Sequence, residues 1–376
     1  YHQQGQVVVL IDEYDKPIID FLSQEELPQA IAHRDILKNF YSVVKDLDRY
    51  IRFFLLTGVS RFSKVSIFSD LNNLNDISMA GLFSDLLGYT QEEVERYFSQ
   101  EIEELSRQEG LTVEETLEKI RYWYNGYRWG GKVFLYNPFS ILSLMQKREF
   151  FNYWFSTGTP SFLVKRLRER FVYNLEGVQR SEVGLSHFEL EELDEIVMLF
   201  QTGYLTVKDR VASLYTLGYP NEEVRQSMSE LLLSAFSHQR EVSGLIFKMY
   251  EYLSVQKYDS FVEVLNSLLS GVPYEVFMER YESFYHAIFY LAFSMLGVYA
   301  LSEVHTSRGR IDVVVEIGRW VYVIEFKVGE GGGEEALRQI KERGYYQRYM
   351  HRGKEVVLMG LGCYQKQVKE IRVEKV

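Results

Sequence analysis

Residues 322–328, YVIEFKV, set two opposite charges into an apolar strand pattern. Successive strand side chains alternate faces, so Glu325 and Lys327 point to one side while Ile324 and Phe326 point to the other. Taking either charge out of water is costly unless it is neutralised, so the pair must compensate itself, meet a cation, or line a wet cleft. An ion pair on the solvated face of an edge strand is the plain alternative. The preceding residues extend the pattern: GRIDVVVEIGRWVYVIEFKV, residues 309–328, reads as two strands around a turn at Ile317–Arg319 with Gly318 at its tip. Asp312 begins the first strand and Glu325 and Lys327 end the second, so antiparallel pairing gathers all three at one end. Two carboxylates supply the oxygen ligands that Mg2+ or Mn2+ takes, and the backbone carbonyl of Phe326 can add another. Such an ion lowers the pKa of a bound water and polarises a phosphodiester, while Lys327 can orient that water and offset developing charge.

With Asp312 as the first acid and Glu325-Phe326-Lys327 as the (D/E)-x-K element, the stretch resembles the PD-(D/E)XK nuclease superfamily. A helix precedes the hairpin and another, EEALRQIKERGYYQRY at 334–349, follows it. The resemblance implies a further acid on the preceding helix, matched by Glu282 in ERYESFYHA, with Glu279 next in line. Glu275, Glu279, Glu282 and His286 share one helical face, which reads equally as a solvated stripe. Gln339 and Tyr345 resemble accessory residues found after the lysine. The Gly-rich segment GEGGG at 329–333 lacks a Gly-Lys-Ser/Thr ending and reads as a flexible connector. His305, near Asp312, could serve as a ligand, and reads more plainly as polar surface ahead of a strand.

A second constellation stands near the start. In QVVVLIDEYDKPIID, an apolar run from Val7 to Ile11 ends in Asp12 and Glu13; a second run, Phe53 to Leu56, ends at Thr57 and Gly58. Runs of this kind are parallel strands covered on both faces, and open α/β sheets bind ligands at their carboxyl ends. Four apolar residues followed by Asp-Glu have the form of a Walker B strand, in which Asp12 would hold Mg2+ through water and Glu13 would polarise the attacking water. A capped strand end explains the same residues. The segments LIDEYDKPI, FLLTGVSRFSKVSIFSDLNNLNDIS, WYNGYRW, YNPFSIL, YWFSTGTPSFLV and YTLGYPNEEVR together resemble the AAA-ATPase-like family that commonly carries a C-terminal PD-(D/E)XK domain. That resemblance implies a sensor role for Thr57 or Ser60 and a phosphate contact for Arg61 or Lys64. No Gly-rich Lys-Ser/Thr loop precedes Asp12. ATP is therefore expected only in a chain with a further N-terminal part, and a start at Tyr1 reads as that of a fragment; a remnant ATPase module is the alternative.

These sites need scaffolding, and 376 residues with 46% hydrophobic content suffice for two or three packed domains. The expected class is multidomain α/β: a partial P-loop ATPase parallel sheet over 1–85, a helical lid with a winged-helix-like element over 86–270, and a restriction-endonuclease-like domain over 271–376. The region 25–50 reads as a helical crossover, TQEEVERYF as a helix opened by a capping box of Thr90 and Glu93, and 199–224 as a hairpin with strands near 203–207 and 213–217. A single cysteine, Cys363, excludes an internal disulfide and a thiolate zinc cluster, which suits a cytoplasmic protein. The apolar stretch 285–300 is too short to span a membrane and reads as a buried helix. The net charge is −11, yet residues 305–376 hold 14 Lys and Arg against 10 Asp and Glu, so that end is +4 and the remainder −15. A basic end on an acidic body keeps a nucleic-acid partner, DNA before RNA, in view. The expected activity is metal-dependent phosphodiester hydrolysis gated by the ATPase part, with assembly as a homo-oligomer left open. The rival is a regulatory NTPase switch whose nuclease-like domain only binds DNA or a protein partner.

Overall fold

The computed structural model describes residues 5–23, 25–59, 67, 74–155, 161–186, 190, 193–272, 281–297, 301–307, 310–350 and 353–376. The chain divides into two compact units, one of Tyr1–Arg166 with Leu175–Arg225, the other of Leu167–Asn174 with Gln226–Val376.

In the first unit β1 (Val7–Ile11) and β2 (Ile51–Leu56) pair in parallel, Ile11 opposite Leu56. The short α1 (Lys16–Ile19) and the long α2 (Leu27–Asp46) make the expected crossover between them. The expectation that both faces are covered is not met: Val8 is 56% exposed and Leu10 65%. Among the described residues this sheet has only two strands, and one crossover cannot screen two faces. Next come α3 (Gln91–Tyr97), α4 (Ser99–Glu109), α5 (Val113–Tyr124), the small β3 (Asn125–Tyr127) and β4 (Leu135–Tyr136) pair, and α6 (Pro138–Lys147). The Thr90–Glu93 capping box forms as expected, with a second at Thr112–Glu115. Each box satisfies two backbone donors that the helix start would otherwise leave open. Val94, Ile102, Leu105, Ile120, Tyr124, Tyr136 and Leu144 close one core between these helices. After α7 (Ser161–Glu169), the strands β5 (Val178–Ser181), β6 (Thr206–Val211) and β7 (Leu214–Gly218) form an antiparallel sheet in the order β5-β7-β6, with α8 (Glu182–Ser186) and α9 (Glu195–Gln201) between β5 and β6. The hairpin expected near 203 begins at Thr206, because Gly203 takes a positive φ of 85° and turns the chain first.

One buried carboxylate ties this unit together. Asn221 precedes α10 (Glu222–Ser237); its Oδ1 accepts from Val224 N at 3.2 Å and its Nδ2 donates to Tyr124 O at 3.0 Å. Glu223 is fully buried and accepts from Ser140 Oγ and from Trp154 N, both at 2.7 Å. Glu222 accepts from Tyr122 Oη at 2.9 Å and from Arg225 Nε at 2.7 Å. At Gly126, φ 139°, a Cβ would stand 1.9 Å from Pro220 O, so only glycine permits this approach. Burial pushes the Glu223 carboxyl up to about 7, against the pull of its hydrogen bonds. A raised carboxyl pKa means that the folded state holds the proton more tightly, so this stabilisation is complete below the ordinary value of 4.5 and is lost as pH rises through about 7. Glu223→Gln should remove the dependence. Thermal unfolding from about pH 5 to about pH 8 should show the parent losing up to about 3 kcal/mol relative to the variant. Parallel profiles would rule out Glu223 as the titrating group.

The second unit holds α11 (Val242–Ser254), α12 (Tyr258–Ser270), α13 (Tyr281–Leu296), β8 (Leu301–Ser307), β9 (Arg310–Ile317), β10 (Trp320–Val328), α14 (Gly332–Arg343), a 3-10 turn at Tyr345–Tyr349, β11 (Glu355–Tyr364) and β12 (Gln367–Lys375). The strand order is β12-β11-β10-β9-β8; β10 and β11 are parallel and every other pair antiparallel. Val314, Val321, Val323, Val356 and Leu358 pack on one face with Leu337 and Ile340 of α14. From the other face Phe326 meets Phe289 of α13 at 4.7 Å between ring centroids, and Tyr322 Oη donates to Leu253 O of α11 at 2.6 Å. The apolar stretch read as a buried helix is α13, buried from Phe284 to Leu296. Among the described residues no helix is long and apolar enough to cross a membrane.

Candidate active site

The hairpin folds as the spacing demands. β9 and β10 turn through Gly318 at φ 56°, and the register pairs Asp312 directly with Glu325. Directly opposed residues of an antiparallel pair share one face of the sheet. The row continues on both sides: His305 of β8 lies opposite Asp312, and Gly360 of β11 opposite Glu325. His305 is therefore within a strand, not ahead of one, because the chain before β9 adds an edge strand that its sequence pattern did not announce. The described residues include the backbone of 305 and 312 but not their side chains.

Glu325 is 1% exposed, yet two cations face its Oε1, Lys327 Nζ at 3.8 Å and Arg343 Nη1 at 3.7 Å. Both distances exceed hydrogen-bond length, so these are charge pairings across a small gap. Lys327 keeps 23% of its side chain exposed and Arg343 27%, which sets the pair at the wet margin of a buried acid. Arg343 was not among the expected site residues. It sits in the last turn of α14, where a basic residue reads as a complement to the helix dipole. The available signal was its spacing of four from Gln339, since helix side chains slant toward the N-terminus and Arg343 can reach back along that face.

α14 comes close because the sheet beneath it is stripped to backbone. A Cβ on Gly360 would stand 2.3 Å from Gly333 O and 2.6 Å from Leu337 N, and one on Gly362 2.6 Å from Gly333 N. The segment 329–333 is thus more than a flexible connector: Gly329 and Gly331 take positive φ of 131° and 74°, and Gly332 and Gly333 are buried in the first turn of α14. Gln339 is half-buried on α14, its Oε1 accepting no hydrogen bond among the described residues; Tyr345 opens the 3-10 turn, and its side chain lies outside them.

Phe326 points away from Glu325 onto α13, its ring 4.9 Å from that of His286. The β9 ladder stops at Glu325, so Phe326 runs past its end. Glu282, in the first turn of α13, is 64% exposed and 3.6 Å from His286 Nε2. Burial lowers the His286 pKa, the Glu282 carboxylate raises it in part, and the positive charge of Lys327 lowers it again. His286 therefore stands between Glu282 and Lys327 electrostatically. Glu275 and Glu279 lie outside the described residues. Among the described residues no three His, Cys, Asp or Glu side chains gather as a metal cluster.

The N-terminal residues also converge. Asp12 Oδ1 accepts from Thr57 Oγ1 and, at 2.9 Å, from Glu13 N. Tyr14 N donates to Thr57 O at 3.1 Å, and Val59 N to Asp15 Oδ1 at 3.2 Å. Asp15, fully buried, was not anticipated; it knits the loop after β1 to the loop after β2. Glu13 is exposed with φ 50°, a strained value for a residue with a side chain. Ser60, Arg61 and Lys64 lie outside the described residues.

Residues 1–68 match the family described as predicted AAA-ATPase, and residues 280–373 match the PD-(D/E)XK nuclease superfamily. An uncharacterised protein from the vnfD 5' region of Azotobacter chroococcum mcd 1 is 42% identical over 367 residues, spanning 94% of this chain and 69% of that protein. The chain belongs to the AAA-ATPase-like proteins that carry a C-terminal PD-(D/E)XK nuclease domain. No solved structure matches it.

In this AAA-ATPase-like protein the nuclease-superfamily match runs from the end of the segment before α13 into β12, so it contains Glu282, Asp312, Glu325, Lys327 and Arg343 together. The donor chemistry suits a hard divalent cation: a buried carboxylate, a second acid opposite it in register, and no soft ligand at either register position. Because α14 rests on bare backbone at Gly360, Gly360→Val should force the helix off the sheet and destabilise the second unit by about 3 kcal/mol or more. Urea denaturation would measure it; a variant within about 1 kcal/mol of the parent would mean that α14 has room to shift.

Proposed function

We propose that the second unit hydrolyses phosphodiester bonds in nucleic acid, with DNA the favoured substrate. The observation that carries this is the cross-strand pairing of Asp312 with Glu325, with Lys327 two residues on at the margin of the buried acid. Asp312, Glu325 and the carbonyl of Phe326 would hold Mg2+ or Mn2+, with Glu282 the third acid. When bound, the ion supplies Lewis-acid polarisation of the phosphodiester and a water of lowered pKa. Lys327 keeps one side in solvent, and from there its ammonium orients the attacking water and offsets negative charge on the phosphate oxygens. His286, whose pKa burial lowers against the partial pull of the Glu282 carboxylate, stands 3.6 Å from that acid.

The N-terminal part is read as a nucleotide-responsive module that gates the nuclease. Asp12 and Glu13 end one parallel strand and Thr57 ends its neighbour, where α/β sheets place ligands. Thr57, with Ser60 as the other candidate, is read as a sensor, and Arg61 as a phosphate contact. Residues 1–85, 86–270 and 271–376 are read as the ATPase-like, lid and nuclease parts; the helices and hairpin from α8 to α10 serve as a winged-helix-like element. A homo-oligomer fits such a module. A second reading, a switch whose nuclease-like domain binds DNA or a partner without cutting, draws on the charge balance at Glu325, which two cations already compensate.

Single-stranded, duplex and branched DNA should be cleaved with Mg2+ or Mn2+, and Asp312→Ala and Lys327→Ala should each lower the rate about a hundredfold or more. Salt-sensitive DNA binding with no cleavage of any substrate would turn the reading to the switch.

A further inference from the structure

Lys327 stands where β10 is supported along one edge. Among the described residues the pairing of β10 with β9 ends at Glu325, whereas on the other side Lys327 is paired with Gly362 of β11. A strand held along one edge can swing about it, so a lysine that must keep its ammonium beside an acid needs a second support. The first turn of α14 supplies it. A Cβ on Gly332 would stand 2.8 Å from Lys327 O and 3.1 Å from Lys327 Cβ, so the bare helix backbone lies against the root of the lysine. That turn is itself gripped from behind. Gly333 N donates to Glu370 Oε2 of β12 at 3.1 Å, a Cβ on Gly333 would stand 3.0 Å from Glu370 Cβ, and Leu337 and Ile340 hold α14 onto the sheet.

We infer that Gly332 is a positioning residue for Lys327: the glycine turn, backed by Glu370, is the wall that sets where the lysine stands beside Glu325. The proposal rests on the metal-dependent nuclease reading, in which Lys327 orients the attacking water. A side chain at 332 must displace something, because packed atoms at these distances have no slack. With the helix held at Gly333, Leu337 and Ile340, the yielding partner is the end of β10, which has room on its β9 side. Lys327 then moves from its place 3.8 Å from Glu325 Oε1. A displaced catalytic group costs rate, while substrate contacts made elsewhere keep their affinity.

The test is Gly332→Ala in the full chain, assayed on DNA oligonucleotides with Mn2+. Its kcat should fall about tenfold with KM within about twofold of the parent. Placed in a Lys327→Ala background, the same substitution should lower kcat by no more than about twofold further, because the group it displaces is gone. Glu370→Ala adds no atom near Lys327 and loosens the turn from behind, so it should lower kcat about threefold, and it decides the matter where Gly332→Ala does not fold. Glu330→Ala, exposed on the connector, should leave kcat unchanged. Full kcat in a folded Gly332→Ala overturns the proposal, as does a loss that adds in full on Lys327→Ala. A crystal structure of Gly332→Ala tests the wall without cleavage: Lys327 should shift by a few tenths of an ångström relative to Glu325, and an unmoved Lys327 beneath a lifted α14 overturns the proposal. A parent that cleaves no oligonucleotide condemns the nuclease reading, and the crystal structure still decides whether Gly332 places the lysine.

Discussion

The second unit is organised around the burial of one carboxylate. Glu325 sits at the centre of a five-stranded sheet with 1% of its side chain exposed, and an acid at such depth is costly unless cations, hydrogen-bond donors or a proton compensate it. Lys327 comes from the same strand and Arg343 from the helix above. Neither is itself deeply buried, so the desolvation cost falls mainly on the acid while both cations keep a hydrated side. A core designed only for stability would put a Val or Leu at this position. The sheet accepts a costly residue where an apolar one would pack more cheaply.

The glycines of β11 follow from the same constraint. Val323 and Leu358 are paired in register and fill the space beneath α14, but one step further along each strand face stand Glu325 and Gly360, then Lys327 and Gly362. At both charged steps the neighbouring strand carries no side chain. The helix can thus descend onto β11 at Gly333 while β10 keeps room for its two polar side chains. Packing and chemistry are divided between adjacent strands, with the apolar pairs holding the helix down and the glycines setting its height.

Local pattern disclosed much of this. Alternation and a Gly-tipped turn gave β9 and β10 and the Asp312–Glu325 pairing, and a capping box marked the helix start at Thr90, because these features depend on residues close in sequence. Arg343 stayed hidden because its partner lies across a helix–sheet interface, where spacing along the chain carries little information. β8 was missed because its residues, Leu301–Ser307, are polar enough to pass for a loop, and pairing with β9 overrides that local preference. The cover expected over Val8 and Leu10 illustrates the reverse error: an apolar run shows that a strand can be buried on both faces, and not that neighbours are present to bury it.

The aromatic segments that carry much of the family resemblance have a different role from the Asp312–Glu325–Lys327 pattern. WYNGYRW and YNPFSIL lie far in sequence from GYPNEEVR, yet residues in or near them, Tyr122, Tyr124, Ser140 and Trp154, meet Asn221, Glu222 and Glu223 through hydrogen bonds within the first unit. Each bond joins residues 69 to 100 positions apart, so the segments close long loops of chain, and Gly126 is fixed by its approach to Pro220 O. A buried acid recurs here, but Glu223 is met by neutral donors, Ser140 Oγ and Trp154 N, where Glu325 is met by cations. Neutral donors let burial dominate, and the Glu223 carboxyl rises to about 7. The contrast separates the two carboxylates by surroundings: one faces cations that keep a side in water, whereas the other is clasped by hydroxyl and backbone donors in a closed core.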